Sequence, residues 1–265
     1  MHLLVDADSL CYRAGFVCNE PDQENLAIWQ IKGLVERILA VTQPDSFQLY
    51  LTGSNNFRYD IYPEYKANRV GMARPVHLQA MREYLITDWK SAITDGIEAD
   101  DAVGIAAYAT EDEVLLAHID KDLDLFAGKH FNYNKEEFYE VGHIQAQANF
   151  YMQLIQGDKG DNIPGYDGKM RPKLPQFLYP VRDQLYECGC QEEMFDIVLG
   201  YYQESVEKMD LSARLLWLQR KEDDDWTNYL DPIIMEELGR KDDLTALLQA
   251  RSAPPLENGL LNISV

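Results

Sequence analysis

The chain has 265 residues, 46% of them hydrophobic and 26% charged, the balance of a globular protein with a substantial core in one large domain or two small ones. No apolar run reaches the ~18 residues of a membrane span, and the opening MHLLVDADSL meets an acid before any basic leader, so neither a spanning helix nor a secretory signal is expected. A net charge of −21 argues, as a sum, against nucleic acid. The charge is polarised, however: Glu64 to Arg82 holds four bases (Lys66, Arg69, Arg74, Arg82) against one acid, while Lys221 to Val265 holds ten acids against four bases. The four cysteines, Cys11, Cys18, Cys188 and Cys190, lack zinc spacing. So few thiols suit a structural role in a reducing cytoplasm.

In chain order, HLLV reads as a short buried strand ending at Asp6 and Asp8. Residues 24–41 carry apolar positions at helical spacing (Leu26, Trp29, Ile31, Leu34, Val35, Ile38). SFQLYLTG reads as a second strand, HLQAMREYLITDW and EADDAVGIAAYAT as helices, and EVLLAHID as a third strand that again ends on an acid, Asp120. This alternation predicts an α/β domain with a mostly parallel sheet, whose carboxyl edge is the functional one. NFYMQLIQGD reads as helix and is followed by a glycine-proline segment. Strand signals then fade into helical patterns, and RPKLPQFLYP, with three prolines, is the best candidate boundary.

Acids recur where apolar stretches end: Asp6 and Asp8; Glu98, Asp100 and Asp101; Asp120, Asp122 and Asp124; Asp158 and Asp161. Any one cluster reads equally as a helix cap or a solvated surface. Gathered at one sheet edge, they would repel unless cations neutralised them. Oxygen-only ligands select hard ions such as magnesium or manganese. Two such ions about 3.5–4 Å apart suit phosphodiester hydrolysis.

VDADSL, YPEYKANR, GIEADDAVG, HIDKDLDLF and QGDKGDNIPG occur in an order and spacing that resemble the 5′-nuclease family. That family comprises flap endonucleases, the 5′-nuclease domain of bacterial DNA polymerase I and tailed-phage 5′-3′ exonucleases. The resemblance implies a PIN-like α/β core over residues 1–150 with a helical arch at about 60–95. It also implies a helix-hairpin-helix-like element over 151–178 and a helical C-terminal region over 179–265. By the same resemblance Asp6, Glu98, Asp100, Asp101, Asp120, Asp122, Asp158 and Asp161 are ligands of two Mg2+ or Mn2+ ions. Asp8 ranks below Asp6, and Asp124 reads as surface or helix start. Lys66 and Arg69 are implied to act at the scissile phosphate. They are implied to share DNA binding with Arg74, Arg82, Gly157, Gly160, Asn162, Ile163, Gly165 and Lys169, with a potassium ion at the hairpin. The implied activity is 5′-3′ exonuclease and 5′-flap cleavage on duplex DNA, with RNA–DNA hybrid as a further substrate. A stand-alone monomer in the cytoplasm, of the phage type, is expected.

Two departures stand out. Relatives carry an aspartate in the loop after the second strand, where this chain reads LTGSNNFR with Gly53 at the matching place. The hairpin also continues GYDGKMRPK in place of the usual Gly-x-Gly-x-Lys pattern. One rival is a haloacid-dehalogenase-like phosphatase with Asp6 as nucleophile and Asp8 as acid/base. It leaves Glu98, Asp100, Lys66 and Arg69 unexplained. A DNA-binding relative that has lost catalysis, suggested by Gly53, is the other. A PIN-type ribonuclease would lack the glycine hairpin motif.

Overall fold

The apolar run Leu3-Leu4-Val5 needs burial on both faces, and it becomes strand β1 (His2–Asp6), near the centre of a six-stranded sheet. This is a computed structural model, and it describes residues 1–234 apart from Glu204 and Ile233. The rest of the expected C-terminal helical region lies outside the described residues. The remaining strands are β2 (Ser46–Leu51), β3 (Ala92–Ile93), β4 (Val114–His118), β5 (Gly128–Asn132) and β6 (Glu137–Val141), in the order β3-β2-β1-β4-β5-β6. All neighbours run parallel except β5 and β6, which form an antiparallel hairpin at the edge. Leu4 pairs with Gln48 on one side and Leu116 on the other.

Strand alternation splits the core into two layers. Leu3 and Val5 face α1 (Asp8–Val17), α2 (Glu24–Thr42) and α4 (Leu78–Asp88), meeting Ala14, Ile31, Val35, Met81 and Leu85. Leu4 and Leu116 face the other way, toward α5 (Ala99–Tyr108) and α6 (His143–Gln156). That layer continues without a break into α7 (Tyr179–Glu187), α8 (Gln191–Tyr201) and α9 (Val206–Leu216), through Val181, Met194 and Leu215. The C-terminal helices therefore share a core with the sheet.

Several expectations shift. α1 begins inside the acidic motif that ends β1, and β3, β5 and β6 extend the sheet beyond the three expected strands. In α2 the buried stripe is Ala27, Ile31, Val35 and Ile38, while Trp29 stays 65% exposed. The segment expected as an arch holds α3 (Arg58–Ile61), a single 3-10 turn (Ala67–Arg69) and α4. Because Met81 and Leu85 dock α4 into the core and Pro75 and His77 are buried beside it, the exposed stretch is confined to 67–74. After α6 the chain forms an Asp158–Ile163 bridge, and the next long helix starts only at Tyr179.

The sheet order turns back at β1. β2 and β3 continue to one side, and β4, β5 and β6 to the other. Loops leaving β1 and β4 must diverge there, which opens a crevice at their carboxyl ends. Asp6 closes β1, and Asp120 follows two residues after β4.

Candidate active site

Four segments deliver acids to that crevice. Asp6 is 4% exposed and held by hydrogen bonds from Asp8 N (3.1 Å) and Ser9 Oγ (2.9 Å). Glu98 is the N-cap of α5, in a capping box with Asp101, and Asp100 lies in the first turn. Asp120 caps the 3-10 turn Lys121–Leu125 by accepting from Asp122 N, so both side chains stand at its start. Asp158 and Asp161 come from the loop after α6, where Asp158 N and O pair with Ile163 (2.9 and 2.8 Å) and Asn162 takes φ 62°. Glu98, Asp100, Asp122, Asp158 and Asp161 line one cavity of about 20 Å³, room for a water-sized occupant. Asp6 and Asp120 lie close enough to act electrostatically on Asp100.

Negative charge is in excess there. Burial and then the neighbouring Asp8 and Asp120 push the Asp6 carboxyl up to about 7. Burial, followed by Asp120, Asp158 and Asp161, takes Asp122 to about 7 as well. Asp100 is raised well above the carboxylate range by burial, Asp6, Glu98 and Asp120. Glu98 goes the other way: burial opposes its ionisation, but Lys66, Arg58 and the Tyr65 hydroxyl outweigh that and hold it low. The Lys66 ammonium pairs with Glu98 and lies 3.5 Å from Asp161, and Arg69 pairs with Asp161. Lys121 bridges Asp122 (3.2 Å) and Asp158 (3.0 Å). Three cations thus sit among the acids, bridge them and offset part of their repulsion. Among the described residues the tight group of metal-capable donors is instead His118, Asp124 and His130, whose ligand atoms lie within 4.8 Å of one another.

Asp101 must be withdrawn from the ligand set. It is fully buried, and Arg58 binds it through two nitrogens at 2.6 and 2.9 Å. Glu98 N and Gln219 N fill its other acceptor directions. Arg58 also donates to the carbonyls of Leu215 and Trp217, tying α3, α5 and the end of α9 together. Arg82 is likewise withdrawn from DNA binding, because it pairs with Asp8 at 2.6 Å and donates to Thr52 O. With Asp8 also accepting from Thr52 N, the acid/base of the phosphatase reading is already engaged.

The glycine loop departs from expectation too. The amides of Gly157, Gly160, Ile163 and Gly165 all donate within the protein, to Gln153 O, Asp158 Oδ1, Asp158 O and Lys169 O. Holding phosphate through those amides is therefore not what the loop is built for. Its glycines serve close packing: a Cβ at Gly157 would lie 2.4 Å from Gly165 N, with φ +70° already against a side chain. The Asn162 side chain donates to Glu64 O. Lys169 stays exposed beside Asp167, and Arg74 is exposed in the 70–77 stretch. At Gly53 a Cβ would stand 2.0 Å from Thr94 O, so no side chain fits where relatives place an acid.

Sequence reasoning passed over Lys121, Tyr65 and Arg58. Lys121 lay between two acids already singled out. The Tyr65 hydroxyl reaches Glu98 (2.6 Å) and Asp161 (2.9 Å), joining two acid segments, and it stands one residue before Lys66. Arg58 gave no local signal, since its partner lies 43 positions away.

Residues 1–150 match the family model described as "5′-3′ exonuclease, N-terminal resolvase-like domain", and the chain belongs to that family. It is 28% identical over 184 residues to a 5′-3′ exonuclease of Buchnera aphidicola subsp. Schizaphis graminum, covering 62% of this chain and 64% of that one. The 5′-3′ exonuclease of Bacillus subtilis is 28% identical over 203 residues, covering 63% and 65%. DNA polymerase I of Bacillus caldotenax is 26% identical over 193 residues, covering 63% of this chain and 22% of the polymerase. The matches thus span under two thirds of the exonucleases and about a fifth of the polymerase. A bacteriophage T5 flap endonuclease solved with DNA and metal ions superposes with a TM-score of 0.48 at 17% identity, covering 81% of this chain and 93% of that chain. The family assignment rests on the family model rather than on that superposition.

Proposed function

We propose that the chain is a divalent-metal-dependent 5′-3′ exonuclease on duplex DNA that also cuts 5′ flaps. The observation that carries this is the meeting of Asp6, Glu98, Asp100, Asp120, Asp122, Asp158 and Asp161 at the sheet's turning point, three of them with carboxyls pushed far up. The donor set fits hard cations: it is all oxygen, carries surplus negative charge, and at present draws in amines. Asp6, Asp100 and Asp120 would hold one Mg2+ or Mn2+ ion, and Asp122, Asp158 and Asp161 a second. When bound, such ions supply an activated water and neutralise charge on the leaving oxygen.

The chain's own cations do the rest. Lys66 and Arg69 border the acids at the start of the exposed 67–74 stretch, where a positive group can meet charge developing on a phosphate. Tyr65 orients Glu98 and Asp161 through its hydroxyl. Arg74 and Lys169 are exposed cations suited to phosphates further along the strand. The potassium ion implied by the resemblance is left out of the proposal, because the long helix that would complete a hairpin after α6 starts only at Tyr179. All four cysteines are free, which suits a reducing cytoplasm, and among the described residues no helix is long and apolar enough to cross a membrane.

Digestion of 5′-labelled duplex, 5′-flap, single-stranded and RNA–DNA hybrid substrates, with Mg2+ or Mn2+, tests this reading. Release of 5′ mononucleotides or short flaps is expected, and progressive loss from the 3′ end would reject it.

A further inference from the structure

Away from the carboxylates, two buried imidazoles meet in an arrangement that lacks a positive charge. His118 closes β4 and His130 lies on the adjacent β5, 1% and 0% exposed, with Tyr139 of β6 directly opposite His130 in register and stacked on it at 5.1 Å. His118 Nδ1 is 2.6 Å from Asp120 O, and His130 Nε2 is 3.0 Å from Phe126 O. A carbonyl oxygen only accepts, so each of these nitrogens carries its ring's hydrogen. The two remaining nitrogens, His118 Nε2 and His130 Nδ1, face each other at 2.8 Å. In neutral rings both present lone pairs, and lone pairs at that separation repel.

We propose that His118, Asp124, His130 and Tyr139 form a site for one zinc-class divalent ion, distinct from the carboxylate site. A cation between the imidazoles removes the repulsion, and further donors converge on it. Asp124 Oδ1 lies 4.0 Å from His130 Nδ1, and Tyr139 OH lies 2.7 Å from Asp124 Oδ1 and 3.3 Å from His118 Nε2. The carbonyls behind the rings are the outer partners that orient a ligating histidine. Two imidazoles with one carboxylate favour zinc-class ions over magnesium. Tetrahedral bonds of about 2.0–2.1 Å set ligand atoms roughly 3.3 Å apart, so the imidazoles need to part by only about 0.5 Å. The rival occupant is a shared proton. Both rings are buried, where a lone positive charge loses its hydration and only the partly open Asp124 stands near to balance it. The ion would staple β4, β5 and β6 to the turn that presents Asp120 and Asp122.

The test uses the full chain stripped with chelator, then titrated with Zn2+ or Co2+ under excess Mg2+ that saturates the carboxylates. One equivalent is expected to bind, raising the melting temperature by about 5–10 °C when free zinc is about 100-fold above Kd. Co2+ is expected to give the intense visible bands of tetrahedral coordination. His130→Gln should remove them; should that buried variant not fold, Asp124→Asn on the open side should still weaken binding by about tenfold or more. Only weak octahedral bands, a thiolate charge-transfer band pointing to Cys188 and Cys190, or binding unchanged in both Asp124→Asn and Tyr139→Phe would each overturn the proposal. None of these readouts involves nuclease activity, so the site and the proposed function stand or fall separately.

Discussion

Neutralising one acid of the cluster should stabilise the metal-free protein, and Asp122→Asn is the cleanest case. The Asp122 carboxyl stands at about 7 in the folded chain against an ordinary 3.8, pushed by burial and by Asp120, Asp158 and Asp161. A folded value above the unfolded one means the native state binds the proton more tightly. Stability is therefore fullest below about pH 4, falls as pH rises toward 7, and is flat above. The gap of about 3 pH units corresponds to about 4 kcal/mol at pH 8. That value stands although the Lys121 ammonium, 3.2 Å away, opposes the shift, so no further allowance for it is needed. Asparagine can still accept from Gln153 Nε2, the present 2.7 Å contact, but keeps part of the desolvation cost. The expected gain is about 2–4 kcal/mol at pH 8, shrinking to under about 2 kcal/mol at pH 5. Urea unfolding in chelator at the two pH values measures both. Adding Mg2+ should stabilise the wild type more than the variant. Equal stabilities at pH 8 without metal, or a gain that does not shrink at pH 5, would refute the electrostatic reasoning.

Other outcomes follow from single contacts. Lys66→Ala should lower the single-turnover cleavage rate by about 100-fold with DNA affinity less affected; a loss of affinity alone would remove Lys66 from the chemistry. Arg58→Ala leaves Asp101 buried without its partner and should cost about 3–5 kcal/mol in chemical denaturation. Gly53→Asp, which would restore the acid that relatives carry, should destabilise the fold, since its Cβ falls 2.0 Å from Thr94 O. A folded Gly53→Asp with a lower Mg2+ requirement would show that the loop can yield.

What the sequence revealed depended on how far a residue's partners lie from it. β1, β2 and β4 were legible as apolar runs ending on polar residues, and α2, α4 and α5 by helical spacing. α1 escaped notice because its first turn, Asp8-Ser9, reads as part of the acid motif. GKHFN and EFYEV are short strands whose hairpin, not their own pattern, makes them sheet. The acids were found as a set because each ends its element. Position alone cannot say which way a side chain points, and so Asp101 and Arg82 were counted toward the site although each is taken up by a partner distant in sequence, Arg58 and Asp8. Asp124 read as surface for the same reason: His118, His130 and Tyr139 reach it only through the pairing of β4, β5 and β6.

The central claim is that this carboxylate cluster cuts DNA from 5′ ends with divalent ions. The most direct measurement is the cleavage rate of a 5′-flap duplex across a Mg2+ titration, for wild type and Asp100→Asn side by side, with folding verified by circular dichroism. The expected result is no cleavage in chelator, saturable cleavage by wild type, and a loss of about 100-fold or more in Asp100→Asn at every Mg2+ concentration. Metal-independent cleavage, or an Asp100→Asn titration that superimposes on wild type, would contradict the account.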